Sequence, residues 1–154
     1  MGFVRAGFFF DILHNRIFIT TLIAWVIAQS IKVAFGVVRE KRFDFKWFIG
    51  TGGMPSSHSA GVTALATSVG LIHGFHSAIF AITAIFTLII MFDAQGVRRA
   101  TGEQAEILNK IIDDIYHGKQ IREDRLKELI GHTPVEVLIG GLLGILVATL
   151  CIRG

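Results

Sequence analysis

The chain has little cysteine and little charge, and each scarcity excludes a class of protein. Cys151 is the single cysteine among 154 residues, so neither an internal disulfide framework nor a cysteine metal site can form. Charged residues make up 18% of the chain and hydrophobic residues 52%, a balance that excludes intrinsic disorder. The net formal charge of +3 is too small to indicate nucleic-acid binding, but it suits a basic face against anionic lipid or phosphate.

Apolar length is what the sequence has in abundance. The mean hydropathy of +0.61 indicates residence in a membrane. At about 20 residues per crossing, a four-helix bundle would use nearly the whole chain and leave no room for a second domain. We therefore predict one all-α domain, an integral membrane helical bundle of about four transmembrane helices, together with an N-terminal interfacial segment and a polar helical insert.

Four segments are predicted to be the membrane helices: 17–38, 57–73, 77–92 and 134–152. The first is the clearest span, because it is long and carries Lys32 as its one formal charge. The residues before Arg16 combine charges with an aromatic run at 8–10, so we expect an interfacial or re-entrant helix there rather than a crossing. The second and third helices are short for full crossings, so burial within the protein or a thinned bilayer is expected.

The composition changes abruptly at Asp93. From Asp93 to His132 the chain carries seven basic residues and, beyond Asp93 itself, seven acidic ones, so 93–132 is predicted to be an aqueous insert. Apolar residues at helical spacing predict two short amphipathic helices in it, separated near Gly118. Four crossings would place this insert on the same membrane side as Arg39 and the starts of the second and fourth helices. The basic residues on that side make it cytoplasmic by the positive-inside rule.

Three groups of residues do not suit a lipid phase. The first is Lys32, which lies inside a span where an ionisable residue costs about 3 kcal/mol on insertion scales. Arg39 lies two helical turns later on the same face. The pair fits an anion site, and it fits equally well a lysine that snorkels and an arginine that marks the end of the helix.

The second group is a glycine-rich turn that leads through Pro55 and Ser56 to His58. Successive backbone N–H groups, a serine at the N-cap and the positive end of a helix dipole together form an anion-binding concavity. Plain capping by Ser56 or Ser57 would explain every feature of this turn except His58.

The third group surrounds the start of the last helix. Thr133 and Glu136 predict a capping box with Pro134 at the first helical position, which gives Glu136 a structural explanation of its own. Yet His132 stands four residues before Glu136, where a carboxylate would be able to fix the imidazole tautomer and raise its nucleophilicity.

Together these groups resemble, in type and order, the signature of the type 2 phosphatidic acid phosphatase superfamily, which includes vanadium haloperoxidases. The resemblance is closest to its small divergent membrane branch and runs from about Arg16 to Ile152. It consists of a lysine and an arginine separated by six residues, then Pro-Ser-x-His, then an arginine cluster, then a histidine four residues before a carboxylate. It implies a helical phosphatase that needs neither metal nor cofactor.

The resemblance also implies roles for individual residues. His132 would be the nucleophile, His58 the acid that protonates the leaving oxygen, and Glu136 the carboxylate that orients His132. The phosphate oxygens would be held by Lys32, Arg39, Ser56, the backbone of Ser57 and one of Arg98 and Arg99. Asp93 would pair with one of these cations or serve as an interface-level carboxylate; both interpretations stay open.

The chain departs from the family pattern in four places. Glu40 replaces a proline, Ser57 replaces a glycine, and Glu136 is one methylene longer than the usual aspartate. The Ser-Arg pair expected directly before His132 is absent. We interpret 93–132 as an insertion between the two halves of this motif, which folds over the mouth of the site and delivers Arg98 or Arg99.

The expected function is hydrolysis of a lipid phosphomonoester at the cytoplasmic face of a bacterial or organellar inner membrane. The expected partners are the membrane and a lipid phosphate, without nucleic acid, and a homo-oligomer stays open. Phosphatidylglycerophosphate, phosphatidate and isoprenoid phosphates all fit. The alternative is a membrane scaffold that binds phosphate without turnover. A small transporter is disfavoured, because no broken-helix inverted repeat is visible.

Overall fold

A computed structural model describes residues 4–41, 53–115 and 133–154. Within these ranges the chain forms five α-helices and no strand: α1 (Val4–His14), α2 (Arg16–Glu40), α3 (Ser57–His73), α4 (Ala78–Ile115) and α5 (Pro134–Arg153). The prediction of an all-α fold is therefore confirmed. The basic loop after Lys41, the predicted second amphipathic helix of the insert and His132 lie outside the described residues.

Two of the described helices are long and apolar enough to cross a membrane. They cover Arg16–Val38 and Pro134–Arg153, with mean hydropathies of 1.8 and 2.4, and a shorter apolar stretch covers Ala78–Ala94. Two of the predicted crossings thus have the length and composition of a span. The other two, in α3 and α4, stay predictions.

The third predicted helix extends beyond its expected end. It continues past Phe92 to Ile115, so the first half of the predicted insert prolongs the apolar helix instead of forming a separate one. The sequence between these residues contains no proline, and Gly96 and Gly102 each weaken a helix by only about 1 kcal/mol. The change of composition at Asp93 therefore marks a change of surroundings along one helix.

The N-terminal helix α1 is an appendage of the bundle. Among the described helices it packs against α2, and Asn15 separates the two by capping α2 through a 3.1 Å hydrogen bond from the Phe18 N–H. Phe9, Phe10 and Leu13 are all exposed. A helix of 11 residues is too short to cross a bilayer, and the interfacial position of this segment stays a prediction.

The central helix of the bundle is α3. It packs against α2, α4 and α5, and α2 also packs against α5. The buried residues of α3 are serine, alanine, glycine and threonine, with one valine. The adjoining core consists of Ala24, Ala64, Val147 and Ala148. Small residues let helix backbones approach closely, which is how helices associate in membranes.

Large apolar side chains lie on the outside. Ile82 is 69% exposed, and Leu138 and Leu150 are exposed to a similar degree. Water would make such a surface unfavourable, whereas lipid tails cover it without cost. The distribution of small residues inside and large apolar residues outside is the one expected of a bundle surrounded by lipid.

Helices α3 and α5 run parallel to each other. The Ser56 N–H donates to the Glu136 carbonyl at 3.1 Å, and the Thr63 hydroxyl donates to the Gly141 carbonyl at 3.0 Å. Residue numbers thus rise together along the two helices. The starts of α3 and α5 therefore lie side by side.

Helix α2 runs in the opposite direction. The Arg16 guanidinium donates to the carbonyls of Cys151 and Ile152, at 3.1 Å in both cases, so the start of α2 meets the end of α5. The end of α2 consequently lies beside the starts of α3 and α5. We call this part of the bundle, formed by 32–41, 53–58 and 133–136, the motif end.

Helix α4 returns to the motif end. Gly74, with a φ of +87°, ends α3, and the Thr87 hydroxyl donates to the Val62 carbonyl at 2.9 Å. Since α3 runs away from the motif end, the hairpin at Gly74 directs α4 back towards it, and residues of α4 after Thr87 approach that end.

Candidate active site

Ser56 caps the start of α3 and is held entirely within the protein. Its Oγ accepts hydrogen bonds from the Ser59 N–H at 3.4 Å and from the Ser59 hydroxyl at 3.1 Å, while its own N–H donates to Glu136. The side chain is 0% exposed. The structure therefore gives Ser56 the capping role that the sequence offered as the simpler interpretation. Its contact with phosphate stays a prediction.

The first turn of α3 is the electropositive part of the motif end. The N–H groups of a first helical turn point out of the helix end, and the helix dipole adds positive potential there. No acidic residue lies in this turn. Ser57 is buried, whereas His58 is exposed, so the imidazole is reachable by a group that arrives from outside the bundle.

Lys32 lies directly against the turn that precedes α3. Its side chain is only 9% exposed, and a Cβ placed on Gly53 would be 3.2 Å from Lys32 Cγ. Gly53 also has a φ of +88°, which favours glycine. The turn therefore needs glycine for its backbone conformation and for its contact with the lysine. The first and second groups of the sequence analysis are in contact.

The start of α5 carries the predicted capping box. The Thr133 N–H donates to Glu136 Oε2 at 3.0 Å, and the Glu136 N–H donates to Thr133 Oγ1 at 3.3 Å. Pro134 occupies the first turn. The capping box is confirmed, and the Glu136 carbonyl, which accepts from Ser56, connects the third group to the second.

Two glycines of α5 permit this close contact. A Cβ on Gly140 would overlap the backbone of Ser56, and one on Gly144 would overlap the Ala60 carbonyl and the Thr63 hydroxyl. These two positions, four residues apart, form the small-residue contact that holds parallel α3 and α5 together. The glycines at these positions thus let the two helix backbones approach closely.

Helical rise brings the backbones of the three candidate arginines to about the level of the motif end. Seven residues of α2 place Arg39 about 10 Å beyond Lys32 along the helix. On α4, Met91 lies against Gly141 of α5. Along α4, Arg98 and Arg99 lie about 12 Å beyond Met91. Along α5, Thr133 lies about 12 Å before Gly141, in the same direction. Contact of any of these arginines with phosphate stays a prediction.

Two further predicted residues are less closely tied to the site. Asp93 is exposed and lies on α4 between Met91 and the two arginines, so its pairing with a cation stays a prediction. His132 lies outside the described residues and directly precedes Thr133 in the sequence. Within the described ranges, no group of three or more histidine, cysteine, aspartate or glutamate side chains is arranged to hold a metal ion.

One polar residue near Lys32 was missed by the sequence analysis. Gln29 is 3% exposed and lies three residues before Lys32, in the middle of an apolar span. The signal available in the sequence was its position on the same helical face as Lys32.

Comparison with known proteins places this chain in a family. The chain is similar to the uncharacterized membrane protein YuiD of Bacillus subtilis (strain 168), with 45% identity over 147 residues that cover 88% of this chain and 93% of the relative. No solved structure matches the chain. The sequence profile described as Divergent PAP2 family matches residues 13–147, which include Lys32, His58 and Glu136. The chain that joins these residues at one end of its bundle therefore belongs to the Divergent PAP2 family.

Proposed function

We propose that this membrane protein is a lipid phosphate phosphatase. The observation that carries the proposal is the joining of three distant groups at the motif end: Lys32 packs on Gly53, and the Ser56 N–H binds the Glu136 carbonyl at 3.1 Å. Membership of the Divergent PAP2 family supports it. A buried cation beside an electropositive helix start suits an anionic phosphoryl group.

The proposed reaction has two steps. Hydrolysis of a phosphomonoester requires a nucleophile, a protonated leaving group and stabilisation of charge on the phosphoryl oxygens. His132 attacks phosphorus, the ester P–O bond breaks, and His58 gives its proton to the departing alcohol. A water that returns its proton to His58 then attacks the phosphohistidine, which releases phosphate and restores His132.

Fixed positive charge takes the place of a metal in this proposal. Lys32, Arg39 and one of Arg98 and Arg99 neutralise the phosphoryl oxygens, and the first turn of α3 adds its dipole. Glu136 would orient His132 with the carboxylate that also closes the capping box. We therefore expect activity in the presence of a chelator.

The proposed substrate is a lipid whose phosphate lies at the membrane surface. Lys32 belongs to a candidate span and contacts a turn whose end carries the exposed His58, so the site adjoins both the apolar zone and water. Phosphatidylglycerophosphate, phosphatidate and isoprenoid phosphates have the required chemistry. The positive-inside rule places the site on the cytoplasmic side.

A second candidate is a scaffold that binds phosphate without turnover. It is favoured by the engagement of Ser56 and Glu136 in helix capping, which leaves fewer of the family's positions for chemistry. A scaffold would bind orthovanadate, which adopts the geometry of a phosphoryl transition state, but would release no phosphate.

Phosphate release by the purified protein in detergent, measured against a panel of lipid phosphates, tests the proposal. His58→Ala and His132→Ala are each expected to abolish release, because the acid and the nucleophile act as one unit. His73→Ala is the matched control, since His73 is exposed at the opposite end of α3 and its loss should leave turnover unchanged.

Two outcomes would contradict the phosphatase. Turnover at the wild-type rate in the His132 variant would remove the proposed nucleophile. Loss of activity in EDTA, restored by Mg²⁺, would show that the reaction depends on a metal.

A further inference from the structure

Gln29 is a buried amide that the proposed reaction does not use. Only 28% of the α2 span is buried within the protein, yet Gln29 is 3% exposed. Polar side chains within membrane spans generally face the protein and mark functional or interhelical contacts. Gln29 therefore serves a contact between helices, the site, or both.

Gln29 and Lys32 lie on one face of α2. Residues three apart on a helix are neighbours, with about 5–6 Å between their Cβ atoms. Both side chains are at least nine-tenths buried, although the exposed Ser30 lies between them in the sequence. The burial is therefore specific to this face.

The neighbouring contacts place Gln29 at the level of the first turn of α3. One turn before it, Trp25 lies 4.0 Å from the Cβ position of Gly61, and after it Lys32 lies 3.2 Å from that of Gly53. Since α2 and α3 are antiparallel, Gln29 falls opposite the stretch between these glycines. That stretch contains Ser57, which is 3% exposed, and His58.

We propose that Gln29 is a positioning residue of the phosphate site, which holds the Lys32 ammonium at the first turn of α3. This inference rests on the proposed function in its use of Lys32 as a phosphate ligand. A lysine side chain has four rotatable carbons and a strongly hydrated charge. A neighbouring amide that is itself fixed by burial restricts where that charge can lie.

Two substitutions separate this role from simple interhelical packing. Gln29→Met removes the amide and keeps the volume, and is expected to weaken orthovanadate binding about tenfold, as for one lost hydrogen bond to a charged group. Gln29→Glu keeps the shape and introduces a negative charge that pairs with Lys32 and repels the anion. It should weaken orthovanadate binding about a hundredfold, since its effect adds charge repulsion to the lost amide.

Thermal stability should follow the opposite order. A carboxylate beside Lys32 forms an ion pair, so Gln29→Glu should unfold at a higher temperature than Gln29→Met. If Gln29 only made a packing contact between helices, its substitution would change stability without changing anion affinity. The reversed order of the two variants in the two assays is therefore the signature of a site residue.

Matched controls come from the same helix. Thr20 is also 3% exposed but lies about 13 Å further from the motif end, so Thr20→Val should lower the unfolding temperature and leave orthovanadate affinity unchanged. Ser30→Ala, on the exposed side, should change neither quantity.

The experiment measures orthovanadate affinity by calorimetry, unfolding in detergent, and phosphate release. Wild-type affinity in Gln29→Met and Gln29→Glu, or tighter binding by the glutamate variant, would overturn the role of Gln29 even in an active phosphatase. Orthovanadate binding that depends on Gln29 without phosphate release would support this inference and refute the phosphatase. A wild-type protein that does neither would refute both.

Discussion

Two helix starts lie side by side at the motif end, and they are built differently. Helix α5 begins at an exposed Thr133 whose capping box is closed by the carboxylate of Glu136. Helix α3 begins at Ser56, which is fully buried, and its first turn contains no acidic residue. One start brings its own negative charge to the helix dipole, whereas the other faces a buried lysine.

The difference indicates which start suits an anion. A carboxylate in the first turn stabilises a helix and opposes the approach of a second negative group. The α3 start has a neutral cap, a glycine turn and Lys32 beside it, so positive potential accumulates there. The α5 start fixes the position of the α3 start, because the Glu136 carbonyl accepts a hydrogen bond from the Ser56 N–H.

The largest expected effect comes from separating the two starts. Gly140→Ala would place a Cβ in the backbone of Ser56, which cannot move as a flexible side chain can, so we expect a loss of about 3 kcal/mol in the free energy of unfolding. Gly141→Ala is the matched control. Its Cβ would meet Met91 and Thr63 at 3.5 Å, an ordinary contact, so stability should stay the same or increase. Unfolding in detergent measures both variants, and equal stability would contradict the described packing of α3 on α5.

The next largest effect is expected from the arginine of α4 that contacts phosphate in the proposed site. Adjacent residues on a helix point about 100° apart, so Arg98 and Arg99 cannot reach one phosphate equally. We expect alanine at the inward position to cost about 3 kcal/mol in kcat/KM, by analogy with the loss of one oxyanion donor, and alanine at the other to cost little. Full activity in both variants would mean that the arginine of the third motif lies elsewhere.

A smaller effect is expected when only the α3 start is altered. Gly53→Ala imposes a side chain at a φ of +88° and at 3.2 Å from Lys32, so it should cost about 1–2 kcal/mol of stability and displace the lysine. Phosphate release should fall about tenfold, the equivalent of 1.4 kcal/mol. Gly61→Ala is the control, because its Cβ would have 4.0 Å of space beside Trp25. Equal activity in the two variants would contradict a role for Lys32 in the site.

The smallest effect on stability is expected at the α5 start. Glutamine also completes a capping box, so Glu136→Gln should change the free energy of unfolding by no more than about 0.5 kcal/mol. If the carboxylate also orients His132, kcat/KM should fall about tenfold, or 1.4 kcal/mol. Unfolding and kinetics measured on the same preparation separate the two roles, and unchanged kinetics would reduce Glu136 to a cap.

Local signals in the sequence predicted the helix starts well. The predicted helix 57–73 and the predicted start at Pro134 agree with the structure. Both starts are set by a local contact, because the side chains of Ser56 and Thr133 each accept a hydrogen bond from the N–H three residues later. The predicted end of the third helix at Phe92 was wrong, because this helix continues to Ile115. A change of polarity indicates what surrounds a helix, whereas its end requires a residue that stops the hydrogen-bond ladder.

Contacts between the groups required the structure. Whether Gly140 or Gly141 faces Ser56 depends on the rotation of α5 about its axis, which the sequence of that helix does not fix. The burial of Gln29 and the contact of Lys32 with Gly53 likewise depend on packing between segments far apart in the chain. The family resemblance named the polar residues of the site but not the glycines that bring them together.

The Arg16 bonds have a consequence for the order of assembly. Their carbonyl partners lie 135 and 136 residues later in the chain, near the end of α5. The Ser56 N–H likewise cannot form its hydrogen bond until the Glu136 carbonyl is in place. Because contacts this far apart form late, α2 and α3 are synthesised before either contact exists. The proposed phosphate site is thus completed only when α5 is in place, so a chain truncated before that helix would carry Lys32 and His58 without a finished site.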